Sequence, residues 1–295
     1  FYQNIWTTPG DLSKGEINIY NENFFRDLSA YYMEWEVLNN GRVIRSGRIE
    51  KLNVAPLQTV SLILKLGETD ENGEWLLNVR YRQKDREGLI PVGHIVAKDQ
   101  LVLHPYKTPE MKLKNVTENY IPVITPQVND TNIRHWIVKG ENFLIRFKRS
   151  TGYMDKYIVN GLDMIKDGAA LTPNFWRAPT DNDYGAKLQL KYNAWKNPDI
   201  KLISLKNNIV DNQAVISAEY EMKQVSAKLY ITYTINNQGA VQVNQKMITD
   251  KAANVSNMFR FGMQLVMPRS FENISYYGRG PMENYSNRNH CTDLG

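Results

Sequence analysis

At 295 residues and 34.1 kDa, with 42% hydrophobic residues, the chain has enough apolar material to give two domains of ordinary size a core each, which excludes general disorder. No stretch approaches the roughly 20 consecutive apolar residues of a membrane helix, so no membrane partner is expected. The net charge of +5 is carried by a slightly acidic first hundred residues and a mildly basic remainder, whose Lys107, Lys112, Lys114, Lys187, Lys191 and Lys196 stand singly. A nucleic-acid surface would show a basic stripe interleaved with aromatics, so no nucleic-acid partner is expected either.

Cys291 is the single cysteine, which excludes an internal disulfide and a thiolate metal cage. The compartment, periplasmic or cytoplasmic, stays open. The opening Phe1-Tyr2-Gln3-Asn4-Ile5 lacks the basic segment and apolar core of a signal peptide. Sequons at Asn115, Asn129, Asn254 and Asn273 matter only in a glycosylating host.

The first hundred residues read as short strands of period-two alternation. Glu16 to Asn21 and Tyr32 to Leu38 alternate, and the latter breaks at Asn39-Asn40-Gly41, whose Asn-Gly pair suits the positive φ angles of a type I′ hairpin. Strands resume at Val43-Ile44, Val60 to Leu66, Trp75 to Arg82 and Ile95 to Leu103. About seven strands in this span predict an immunoglobulin-like β-sandwich over residues 1–105. Prolines at 105, 109, 122 and 126 with polar residues between them mark a linker over 106–126. A second β-rich domain is expected over 127–295, with strands at Trp136 to Lys139, Phe143 to Phe147, Ala214 to Met222, Ser226 to Ile235, Ala240 to Ile248 and Phe259 to Val266. One helical stretch, Ala186 to Trp195, places Leu188, Tyr192 and Trp195 at helical spacing. The expected fold class is all-β.

Two segments carry unusual chemistry. Asn174-Phe175-Trp176-Arg177-Ala178-Pro179-Thr180-Asp181-Asn182-Asp183-Tyr184-Gly185 combines aromatic rings, a guanidinium, carboxylates and amides, the inventory a sugar needs for its C–H face and its hydroxyls. It equally suits an internally bonded loop in which Asp181 and Asp183 cap the helix near Ala186 and Arg177 ties the loop down. In Tyr276-Tyr277-Gly278-Arg279-Gly280-Pro281-Met282-Glu283-Asn284-Tyr285-Ser286-Asn287-Arg288, glycines and a proline fix a turn that presents Glu283, Asn284 and Arg288. A structural turn with an Arg–Glu pair reads as well. Trp176, Arg177, Asp181, Asn182, Asp183, Glu283, Asn284 and Arg288 are therefore the candidate carbohydrate contacts.

Phe-Trp-Arg-Ala-Pro-Thr-Asp-Asn-Asp at 175–183 and Tyr-Gly-Arg-Gly-Pro-Met-Glu-Asn-Tyr at 277–285 resemble the signature runs of the small-chain domain of lac-type β-galactosidases, glycoside hydrolase family 2. Tyr2-Gln3-Asn4, Trp35-Glu36, Val54-Ala55-Pro56 and Gly93 to Gln100 resemble the sandwich that precedes that domain. The resemblance implies an immunoglobulin-like sandwich followed by part of a galactose-mutarotase-like supersandwich, cut before its end. It also implies a parent enzyme whose (β/α)8 barrel, about 250 residues, holds two glutamates about 5 Å apart for retaining hydrolysis. By the same resemblance magnesium and sodium are held at the barrel, with no cofactor in this chain, and the barrel is this chain's partner. Tyr184 and Gly185 open the loop that borders the family's active site, and here that loop is shorter and carries Lys187 and Lys191. No catalytic residue is expected in the chain.

Three rival readings accompany this one. The two segments could converge on one concave sheet face of an autonomous carbohydrate-binding module. An epimerase-like enzyme needs an acid and a base across the sugar ring, and the second domain offers His135 and His290. Asp181-Asn182-Asp183 could hold a hard cation but lacks the fuller spacing of a calcium loop. An unfinished second sandwich should also expose sheet edges, which favours self-association.

Overall fold

The computed structural model describes residues 2–70, 73–107, 112–115, 127–250, 252–285 and 288–295. The chain divides into two units, Phe1–Pro109 with Ser275–Gly295, and Glu110–Ile274. Most of the expected linker lies outside the described residues. Its residue Leu113 belongs to the second unit, donating its backbone N–H to Gln242 Oε1 at 3.1 Å and accepting from Gln213 Nε2 at 2.8 Å.

The first unit is a three-plus-four antiparallel sandwich. Strands β1 (Ile5–Pro9), β2 (Glu16–Asn21), β3 (Tyr31–Asn39), β4 (Arg42–Ile49), β5 (Thr59–Ile63), β6 (Trp75–Gln83) and β7 (Ile95–His104) form sheets of order β1-β2-β5 and β4-β3-β6-β7. Alternation decides which side of each strand faces inward: Ile5, Ile17 and Ile19 from one sheet meet Met33, Trp35, Val37, Leu77, Val79, Tyr81 and Ala97 from the other. Each fully buried aliphatic side chain contributes about 1.5–3 kcal/mol. Asn40 and Gly41 take φ of 46° and 77°, the left-handed pair that the hairpin between β3 and β4 requires.

Strands β3 and β6 also bury side chains on their outer side, at Leu38 and Leu76, which face each other in register. The end of the chain bonds to this outer face through Asp293 and Leu294. Because Ala97 points into the core, Lys98 and Gln100 point out, and there Lys98 Nζ meets Asp293 Oδ2 at 2.5 Å while Gln100 exchanges two hydrogen bonds with the Leu294 backbone. The sequence reading carries the second domain through to Gly295, whereas the fold groups this strap with the first sandwich.

In the second unit, β8 (Gln127–Asn129), β9 (His135–Lys139), β10 (Phe143–Lys148), β11 (Met154–Val159) and β12 (Leu162–Asp163) form a meander in that order. After β13 (Thr172–Asn174), two short helices, α1 (Asp181–Gly185) and α2 (Leu188–Lys191), lead to the long meander β14 (Lys201–Val210), β15 (Gln213–Met222), β16 (Ala227–Ile235) and β17 (Val241–Thr249). Strand β18 (Gly262–Gln264) pairs with β13. The core lies between the meanders, with Val138, Ile145 and Phe147 facing Ile216, Tyr220, Leu229, Ile231 and Tyr233.

The expected helix over 186–195 begins earlier and is broken. Thr180, not Asp181 or Asp183, is its N-cap: its side chain accepts from the Asp183 N–H, and the Asp183 carboxylate accepts from the Thr180 N–H in a capping box. Lys187, at φ 59°, interrupts the helix before α2. Strand β14 escapes the sequence reading because a register shift between Leu202 and Ser204 breaks its alternation and Asn207-Asn208 are poor strand formers. The last expected strand, Phe259 to Val266, shortens to β18.

Candidate functional site

The first signature segment has a buried spine and an exposed tip. Phe175 is buried, with ring centroids 5.7 Å from both Trp195 and Phe261. Half-buried Trp176 meets Phe259 edge-on at 4.8 Å, and the Arg177 guanidinium lies over the same Phe259 ring, 4.6 Å from its centroid. Arg177 then clamps Asp183 through both carboxylate oxygens, at 2.5 and 3.2 Å, and donates to the Ala178 carbonyl at 3.0 Å. The Thr180 N–H and hydroxyl add bonds to Asp183 at 2.7 and 3.0 Å. The Arg177 hydrogen bonds, followed by the Thr180 N–H, hold the buried Asp183 carboxyl at a pKa of about 2, well below the usual carboxylate range. Arg177 and Asp183 are thus engaged inside the protein.

Asp181, Asn182, Tyr184 and Gly185 are different. They lie on α1 and are exposed, and among the described residues neither the Asp181 nor the Asn182 side chain has a hydrogen-bond partner. The capping box fixes the backbone that carries them, so a carboxylate, an amide and a phenol ring are held out to solvent from a rigid base. This is an arrangement suited to hydroxyl-rich ligands, with little ordering cost on the protein side.

The second segment belongs to the strap of the first unit. The Tyr277 hydroxyl donates to Glu74 Oε2 at 2.7 Å, and burial, reinforced by that carboxylate, pushes the phenol up to about 12. Gly278 and Gly295 exchange backbone hydrogen bonds at 3.1 and 3.0 Å, beside the short pair β19 (Arg279–Gly280) and β20 (Asp293–Leu294). Arg279 donates to the Thr292 carbonyl at 3.0 Å. Arg288 pairs with Glu283, and Asn284 accepts from the Thr292 hydroxyl at 3.2 Å. Glu283, Asn284 and Arg288 are therefore bonded within their own loop, and the two signature segments fall in different units.

Sequence reasoning missed Thr180, although the pattern Thr-x-x-Asp was readable as a capping box, and it missed Glu74 and Phe259, whose roles come from contacts far apart in the chain. His135 lies 3.7 Å from Asp155, a carboxylate that Arg146 grips in two-pronged fashion, so it is part of a sheet-face ion cluster. Among the described residues no group of three or more His, Cys, Asp or Glu is placed to hold a metal ion, and no helix is long and apolar enough to cross a membrane.

Residues 139–295 match the family model described as β-galactosidase small chain, and residues 17–104 match β-galactosidase domain 4. Similar curated proteins are the β-galactosidases of Priestia megaterium (strain DSM 319 / IMG 1521), 30% identical over 97% of this chain and 27% of the relative, and of Streptococcus thermophilus, 27% identical over 97% of this chain and 26% of the relative. The β-galactosidase of Clostridium acetobutylicum is 26% identical over 100% of this chain and 31% of its own length. The chain thus spans about a quarter to a third of the length of these relatives. Since the small-chain match alone covers more than half of the residues, the chain belongs to the β-galactosidase small-chain family.

Proposed function

We propose that this chain is an accessory region of a β-galactosidase, one whose barrel performs retaining hydrolysis of terminal β-galactosides while these two sandwiches dock beside it and shape the mouth of its active site. In this reading the barrel is the partner and holds the catalytic glutamates together with the magnesium and sodium of the parent family. The observation that carries the reading is the division of labour within the first signature: Arg177 and Asp183 are bonded inward, while Asp181 and Asn182 stand on α1 without partners. Structural work alone does not require a carboxylate and an amide at those positions. Tyr184 and Gly185 continue the same exposed rim.

The purified chain, assayed on a chromogenic β-galactoside, is expected to give no turnover. Turnover that co-purifies with the chain and survives removal of trace contaminating enzyme would overturn the proposal.

A further inference from the structure

We infer that the second unit carries a separate saccharide-binding cavity, lined by none of the residues of α1. Its volume is about 660 Å³, within the range of small-molecule sites. Trp195 is almost wholly buried, and its indole N–H donates to the Ser256 carbonyl at 3.0 Å, which fixes the ring under the cavity. Tyr192 forms one wall, its ring held edge-on against Phe259 at 5.1 Å. Three exposed polar side chains line the same cavity: Thr249 at the end of β17, Asp250 just after it, and Asn257 on the segment that follows.

The chemistry of the lining selects the ligand class. Among the described lining residues no cation faces the cavity, so a phosphate or carboxylate ligand has nothing to neutralise it. The Asp250 carboxylate accepts from the Ala252 N–H at 2.9 Å through Oδ1, and no side-chain partner satisfies Oδ2 among the described residues. The Asn257 amide and the Thr249 hydroxyl likewise have no hydrogen-bond partner among those residues. A carboxylate acceptor, an amide that both donates and accepts, and a hydroxyl, set beside the half-buried Tyr192 ring, match the hydroxyls and the C–H face of a pyranose. A second shallow cavity of about 460 Å³ shares Thr249 and Asp250 with the first, which leaves room for a second sugar unit. The site is independent of the mouth-shaping role; only a preference for galactosides rests on that proposal.

The test is a titration of the whole chain with lactose and, separately, cellobiose, read by intrinsic tryptophan fluorescence and by calorimetry. Saturable binding is expected, weakened tenfold or more by Asn257→Ala and by Asp250→Asn, the latter keeping the turn acceptor for Ala252. Both variants should melt at the wild-type temperature. Absence of saturable binding to either disaccharide overturns the site, as does binding that Asn257→Ala and Asp250→Asn leave intact. Saturation by tetramethylammonium without saturation by sugar would identify an amine site and overturn it too. Binding of cellobiose but not lactose upholds the saccharide cavity and counts against the galactoside reading of the parent enzyme.

Discussion

The two signature segments contain much the same residue types and use them in opposite ways. In the strap, Tyr277, Arg279, Glu283, Asn284 and Arg288 are bonded to the first sandwich or to their own loop. In the segment at 174–185, one Arg–Asp pair does the bracing and the residues beyond it are left outward-facing. A signature run is therefore not one kind of evidence: in the first case its side chains are bonded within their own unit, and in the second part of the run is left exposed.

The sharpest way to break the comparison is through one glycine from each side. Gly41 adopts φ 77°, and a Cβ there would come within 2.8 Å of the Tyr277 ring, so Gly41→Ala both strains the hairpin and evicts the strap. It should cost about 2–4 kcal/mol by thermal or urea denaturation. Gly185 has no heavy atom within 4 Å of an added Cβ and no positive φ, so Gly185→Ala should stay within about 0.5 kcal/mol of wild type. Equal losses from the two substitutions would refute the contrast.

The arginines give the next largest difference. Arg177→Ala leaves the buried Asp183 carboxylate without its two-pronged partner and should lower the melting midpoint by several degrees. Arg288→Ala removes a half-exposed pair and should move it little. The same clamp has a pH signature. The Asp183 pKa is depressed in the folded chain, so its contribution is complete above the unfolded carboxylate value and is lost as pH falls from about 4 toward about 2. A melting-temperature profile over this range should be flatter for Asp183→Asn than for wild type; parallel profiles would mean the clamp contributes nothing.

Tyr277→Phe tests the strap more gently. It deletes the bond to Glu74, a carboxylate that is 7% exposed, and leaves the ring in place. The expected cost is about 1–2 kcal/mol, accompanied by faster amide exchange at Gly278 and Gly295, whose backbone bonds hold the strap end.

The all-β class was legible because alternation survives wherever one side of a strand faces a core, as in Ile17-Asn18-Ile19 and in Ala214 to Met222. The Asn40-Gly41 hairpin was legible because its turn chemistry is local. What could not be read depends on contacts distant in sequence. Glu74 looks like an ordinary turn residue, and nothing local says that Tyr277, two hundred residues later, bonds to it. For the same reason order along the chain does not show that the strap bonds to the first sandwich. Both a sugar-contacting and a bracing reading of the first signature were available from the sequence, but only geometry shows that Asp183 is bonded inward while Asp181, two residues away, is exposed.

That division makes the smallest expected stability effect the most informative one. Asp181→Ala and Asn182→Ala remove side chains that are exposed and have no partner among the described residues, so each should shift stability by no more than about 0.5 kcal/mol. If these side chains face substrate in the parent enzyme, the double variant there should raise KM or lower kcat/KM while its melting curve stays at the wild-type position. Asp183→Asn should show the reverse, a lower melting temperature from a weakened brace together with a kinetic change no larger than that loss of order explains. A double variant that melts lower, with kinetics unchanged, would place Asp181 and Asn182 alongside Glu283 and Arg288 as bracing residues and would erase the difference between the two segments.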